Sequence, residues 1–184
     1  MRTTIFTSLA PNLEWDDVVI ALQTLIRPWT WRDPSATAAL EQTFARDHAG
    51  YRAVSFASGR TCLHAILSSL SLQSNDEVLL QAYTCVAVPN PILWTQAKPV
   101  FVDCTRDTLT LDLEDLKRKI SPHSRVLIIQ HTFGQVAALE ELLALARAHN
   151  LFVIEDCAHA LGAQFKGKPV GTFGDASFFS FGRD

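Results

Sequence analysis

Asp156 and His159 stand three residues apart at the end of the apolar run "LFVIEDCAHALG". The run reads as a buried strand leading into a loop, and a carboxylate at its end needs a partner, because burying the charge alone is very costly. That partner is an arginine, a helix N-cap or a cationic ligand, and His159 is placed to share such a ligand. A metal held by Asp156, His159 and the His131 of "IIQHTFGQ" is another alternative. The spacing matches no zinc pattern, so no metal is expected, and His131 otherwise reads as a core histidine.

A second chemistry is written in "FASGRTCLHAIL", where Ser58, Gly59 and Thr61 stand at the junction of a strand and a helix. A helix N-terminus offers unpaired N–H groups and a positive partial charge, which suits a phosphate. The stretch is neither GxxxxGK[ST] nor GxGxxG, and simple capping explains Ser and Gly there equally well. The last residues, "SFFSFGRD", repeat the pattern with Ser180 and then Gly182. Ser180 either holds the same anion or is a buried hydroxyl bonded to backbone.

The elements that must position these residues follow from periodicity. Val18, Leu22 and Leu25 have helical spacing and Pro28 ends that helix. Trp29 and Trp31 in "PWTWRDPS" are expected to pack in the core or as a lid, with a partner-facing patch as the alternative. A second helix from Ser35 carries Leu40 and Phe44 on one face, "RAVSFA" reads as a strand, and Leu63, Ile66, Leu67 and Leu70 give an amphipathic helix. From there strand-like and helical stretches alternate: "EVLLQAY", a Pro-interrupted helix from Thr84 to Trp94, "KPVFVDC", "LDLEDLKRKI", "SRVLIIQHTFG", "ALEELLALARAHN", "LFVIEDCAHA" and "ASFFSF". Near-continuous apolar strands between amphipathic helices imply an α/β fold, a mostly parallel sheet with helices on both faces. In such sheets ligands bind beyond the carboxyl ends of the strands, where Asp156, Ser58, His131 and Ser180 all fall.

At 184 residues the chain fits one domain. A net charge of −3 gives no electrostatic case for nucleic acid or anionic membrane. No apolar run is long enough for a membrane span. The start "MRTTIFTSLAPNLEWDD" soon turns acidic and makes a poor signal peptide. Cys62, Cys85, Cys104 and Cys157 form no CxxC pair and lie in apolar stretches, as expected of reduced core thiols in a cytoplasmic protein.

Six stretches in order, "SGRTCLHAIL", "QAYTCVAVPNPI", "PVFVDC", "HTFGQVAALEEL", "IEDCAHALGA" and "GDASFFSFGRD", resemble the DegT/DnrJ/StrS family of sugar aminotransferases. The likeness implies fold type I, the aspartate aminotransferase-like large domain, and the cofactor pyridoxal 5′-phosphate (PLP). It implies an arm and helix over residues 1–34, part of the PLP-binding large domain over 35–184, and a C-terminal small domain beyond. By the same resemblance, Asp156 pairs with the pyridine nitrogen and His159 bonds the ring hydroxyl. The backbone of Gly59, Arg60 and Thr61 holds the phosphate, and the Ser180 hydroxyl joins it. Two positions depart from the pattern. Cys85 stands where an aromatic residue often stacks on the cofactor, and Arg60 replaces a small residue, its charge either aiding the phosphate or facing water.

The family's Schiff-base lysine lies five residues after the serine matched by Ser180, the position just past Asp184. Lys166 and Lys168 in "FKGKPVG" read as a solvated hairpin and do not substitute for it. The implied reaction transfers an amino group from an amino acid such as glutamate to a keto-sugar nucleotide, in a homodimer that builds each site from both subunits. Residues 1–184 alone are expected to be inactive. The alternatives are a PLP-dependent sugar dehydratase on the same scaffold and a lysine-less binding or regulatory protein.

Overall fold

A computed structural model describes residues 14–48 and 51–181. Gly182 and the arm expected before residue 14 lie outside them. The chain divides into two compact units, one of residues 1–55 with 181–184 and one of residues 56–180.

In the first unit, helix α1 spans Trp15–Leu25 and helix α2 spans Ser35–Asp47. Glu14 starts α1 through a reciprocal capping box with Asp17. A short 3-10 turn at Pro28–Thr30 follows, as the proline dictates. The helical spacing thus holds, but the expected burial does not. No residue of α1 is buried, and Trp29 and Trp31 are 75% and 63% exposed. Trp31 is fixed instead by its indole N–H, which donates to the Thr24 carbonyl at 2.7 Å. In α2, Phe44 stacks on His48 and meets Phe181 edge-on.

The second unit holds a five-stranded sheet in the order β2-β1-β3-β4-β7, with every pair parallel. Its strands are β1 (Glu77–Gln81), β2 (Lys98–Val102), β3 (Ser124–Gln130), β4 (Phe152–Asp156) and β7 (Ala176–Phe178). Helices α3 (Gly59–Ser69), α4 (Pro89–Trp94), α5 (Leu113–Lys119) and α6 (Leu139–Ala148) connect and cover it. The hairpin strands β5 (Gln164–Phe165) and β6 (Lys168–Pro169) pair antiparallel, and Lys166 and Lys168 are exposed on it, as expected. Among the described residues no helix is long and apolar enough to cross a membrane.

Strand side chains alternate between two faces, and the sheet makes both apolar. Val78, Leu80, Val126, Ile128 and Ile154 pack with Leu63, Leu67 and Ile92 of α3 and α4. Leu79, Leu127, Ile129 and Val153 pack with Leu116 of α5 and Leu139 and Leu142 of α6. Each fully buried leucine or isoleucine contributes roughly 1.5–3 kcal/mol. The same alternation separates the two adjacent acids of β4. Asp156 shares the α3/α4 side with Ile154, and Glu155 shares the α5/α6 side with Val153.

Two expected elements differ. "RAVSFA" forms no strand: residues 51–56 belong to no ladder. β-rich composition reports extended backbone, whereas a ladder also needs a neighbouring strand. The helix expected from Thr84 is confined to Pro89–Trp94, because proline tolerates only the first helical turn.

The thiol expectation also changes. The four cysteines are free, but only Cys157 is buried, and Cys85 is exposed.

Candidate active site

The chain runs from β1 to β2 on one side and returns to β3 on the other, so the strand order reverses between β1 and β3. Open α/β sheets bind ligands at such reversals, beyond the carboxyl ends of the strands. At that end lie Tyr83 after β1, the loop 131–135 after β3, Asp156 and His159 at the end of β4, and Ser180 after β7.

Asp156 is only 4% exposed. Its Oδ1 accepts the Ala158 amide at 3.0 Å. Among the described residues no lysine or arginine pairs with it, and Oδ2 has no hydrogen-bond partner. Burial pushes its carboxyl up to about 6, against the opposing pull of the Ala158 amide and of His159 and His131. Of the three partners the sequence left open, the internal arginine is therefore absent, and the single amide leaves the charge under-satisfied.

The neighbouring strand end carries the second feature. Phe178 of β7 pairs with Asp156, and its carbonyl accepts the Cys157 amide at 2.9 Å. Gly59, the buried first residue of α3, lies against Phe178 and Ser180, and a Cβ added there would sit 3.3 Å from the Ser180 Cβ. The helix start and the Ser180 turn thus form one cradle, closer than a side chain at position 59 ordinarily sits. Ser58 caps α3, accepting the Thr61 amide on Oγ at 3.2 Å, while the Thr61 hydroxyl accepts the Ser58 amide at 3.1 Å. The Gly59 amide has no acceptor among the described residues. Arg60 sits half-buried in the same first turn.

Cys85 lies exposed in the turn that leaves β1, and among the described residues no hydrogen bond joins its thiol to the other candidates. The same strand ends carry aromatic and amide groups to which sequence reasoning assigned no role. Phe133 stacks on His159 with ring centroids 5.5 Å apart and planes within 3°, and Tyr83 meets Phe133 edge-on at 6.3 Å. Phe133 has φ +53°, a left-handed conformation that costs a bulky residue on the order of 1 kcal/mol. Under them, Gln81 and Gln130 both donate to the Thr132 hydroxyl, and Thr84 donates to Gln130 Oε1. The Phe-Gly pair in "HTFGQ" was the available signal for the strained turn.

Glu155 was also missed. It is fully buried, and Oε1 accepts the Phe173 and Gly174 amides while Oε2 accepts Gly171 N and His131 Nε2. Burial pushes this carboxyl up, but the His131 bond and the Gly171, Gly174 and Phe173 amides together outweigh it, and the net shift is downward. His131 Nδ1 accepts the Ala137 amide, so its ring proton sits on Nε2. His131 is thus the core histidine the sequence suggested. Donor atoms of His131, Glu155 and Cys157 lie within 4.8 Å of one another. Yet both Glu155 oxygens are saturated, and burial with the two flanking acids pushes the Cys157 thiol far up. His131 and Glu155 thus form a buried hydrogen-bond network with the backbone of residues 171–174.

The family model for the DegT/DnrJ/EryC1/StrS aminotransferase family matches residues 17–183. The chain belongs to that family. It is 34% identical to the GDP-perosamine synthase of Escherichia coli O157:H7 over 93% of this chain and 47% of that protein. Among solved structures it superposes on an aminotransferase from Psychrobacter cryohalolentis with a TM-score of 0.83 and 28% identity, over 95% of this chain and 44% of that one. On the sugar aminotransferase CalS13 from Micromonospora echinospora the TM-score is 0.82 with 30% identity, over 94% and 48%. The fold is therefore the type I architecture that the resemblance implied. The chain spans about half the length of the curated relatives it matches.

Proposed function

We propose that this chain supplies the PLP-binding part of a sugar aminotransferase, which moves an amino group from an amino acid such as glutamate to a keto-sugar nucleotide. One observation carries the reading: a buried carboxylate with no cation of its own stands one strand away from a glycine-built cradle at a helix start. These residues fit the cofactor. Asp156 suits a protonated ring nitrogen, and the Gly59 amide with the Ser180 turn suits a phosphate.

Bound there, PLP supplies a cationic ring that draws off negative charge as the amino acid loses its α-proton. The residues supply the rest. Asp156, hard to ionise alone, would hold a proton on the ring nitrogen and would itself be stabilised by the resulting positive charge. His159 donates to the ring hydroxyl. Gly59, Arg60 and Thr61 offer first-turn amides to the phosphate and Ser180 its hydroxyl, while the Ser58–Thr61 cap keeps that turn in shape. Cys85 leaves the cofactor face with less stacking area than an aromatic residue gives.

Activity belongs to the whole protein in this reading, as do the homodimer and the small domain. The position five residues beyond Ser180 lies outside residues 1–184. The test is incubation of the whole protein with PLP, glutamate and a nucleotide-linked keto-sugar. Formation of 2-oxoglutarate with an aminated sugar supports the proposal; loss of water from the sugar with no 2-oxoglutarate points to the dehydratase instead.

A further inference from the structure

Histidines at working sites are normally oriented by a hydrogen bond from one ring nitrogen, which leaves the other for chemistry. His159 has no such bond: among the described residues neither ring nitrogen has a partner. What its imidazole has is a face. The Phe133 ring lies parallel to it, 3° apart in plane with centroids at 5.5 Å.

Phe133 reaches that face at a cost. It is the aromatic member among the described non-glycine residues with positive φ, and its ring stays 62% exposed, so burial does not explain it. Strain of this kind persists where the surroundings enforce it, and it gathers at functional sites. Here the enforcing elements are visible. The Gly134 amide donates to the His131 carbonyl at 3.3 Å and the Gln135 amide to Thr132 at 2.9 Å. Gly134 follows at φ +80°, and a Cβ added there would lie 3.5 Å from the His159 carbonyl oxygen. Gln81 and Gln130 hold the Thr132 hydroxyl beneath, and Tyr83 abuts the far part of the Phe133 ring. The turn is built to lay a ring on His159.

We propose that Phe133 is a positioning residue that sets the plane of the His159 imidazole, leaving both ring nitrogens open toward the bound cofactor. Aromatic stacking thus does the work a hydrogen bond does elsewhere. The inference rests on the PLP reading above for what His159 meets, but its geometric half stands without the cofactor.

The test uses the purified protein as wild type, Phe133→Ala, Phe133→Tyr, His159→Ala and the double variant Phe133→Ala/His159→Ala. In the absence of PLP, ring-current shifts of the His159 carbon-bound protons are read by NMR. They are expected in wild type and Phe133→Tyr and lost in Phe133→Ala; shifts that survive Phe133→Ala overturn the proposal. PLP affinity is then measured by equilibrium dialysis. Phe133→Ala is expected to bind roughly three- to tenfold more weakly, the range of one aromatic stack. Phe133→Tyr restores affinity, and the double variant is no weaker than the weaker single one, because both changes remove one interaction. Losses that add, or a Phe133→Ala variant with full affinity, overturn the role of Phe133 while leaving the cofactor reading intact. A wild type that binds no PLP overturns the cofactor reading, and with it the functional half of the proposal; the NMR shifts then judge the geometric half alone.

Discussion

An ionised Asp156 costs the folded protein stability unless a cation compensates it. Its folded carboxyl titrates near 6 against an ordinary 3.8, so the folded state resists its ionisation. The cost is absent well below the ordinary 3.8, where both states are protonated; it grows as pH rises from there towards about 6, while only the unfolded carboxyl ionises, and levels off above. Asp156→Asn keeps an acceptor for the Ala158 amide and removes the charge. Urea unfolding without PLP should therefore find Asp156→Asn more stable than wild type at pH 8, by up to about 3 kcal/mol, with the difference vanishing below about pH 3. Equal stabilities across that range would mean the carboxylate is already compensated. Glu155 predicts the opposite sign. An amide in place of its carboxylate sets a donor against the amides and the imidazole it serves. Glu155→Gln should cost about 2–3 kcal/mol at neutral pH. Because the folded carboxyl titrates lower than usual, its contribution is present above about pH 4.5 and fades as pH falls through the lower folded value. Two adjacent acids thus face opposite sides by strand alternation, Glu155 fastening the fold and Asp156 with no lysine or arginine paired to it among the described residues.

At the scale of elements, the connection from β4 through the hairpin to β7 sets where Ser180 stands. The Glu155 carboxylate fastens residues 171–174, and Gly174 then passes so close to β4 that a Cβ would lie 2.9 Å from the Val153 carbonyl oxygen. Gly174→Ala should cost about 1–3 kcal/mol by overpacking, read as a lowered urea midpoint, and should weaken PLP binding by shifting β7. Unchanged affinity would separate the crossover from the site. Much of this layer was legible in the sequence. Apolar runs such as "VLIIQ" and the 3-4 spacing of Leu139, Leu142, Leu143 and Ala146 are signals that burial produces directly. So was Asp156, because a carboxylate ending such a run has no cheap place to go. The misses share a cause: they depend on which groups meet. "RAVSFA" has strand composition without a ladder, and α1 has an apolar stripe that stays exposed. The left-handed Phe133 and the four-bonded Glu155 are set by partners tens of residues away in sequence.

The whole molecule presents a division of labour between a sheet-built unit that carries the candidate site and a smaller unit with exposed apolar helices. Residues 1–184 contain the buried acid, the cradle and the histidine, and they match about half of each curated relative. Cofactor binding is therefore the property these residues are expected to show.

The most direct measurement is a PLP titration of the purified protein beside its Asp156→Ala variant, followed by the visible absorbance of the cofactor and by equilibrium dialysis. The account predicts saturable binding at one site per chain by wild type, with affinity at least about tenfold weaker in the variant, as losing a desolvated charge pair requires. No saturation in wild type, or equal affinity in the two proteins, would contradict it.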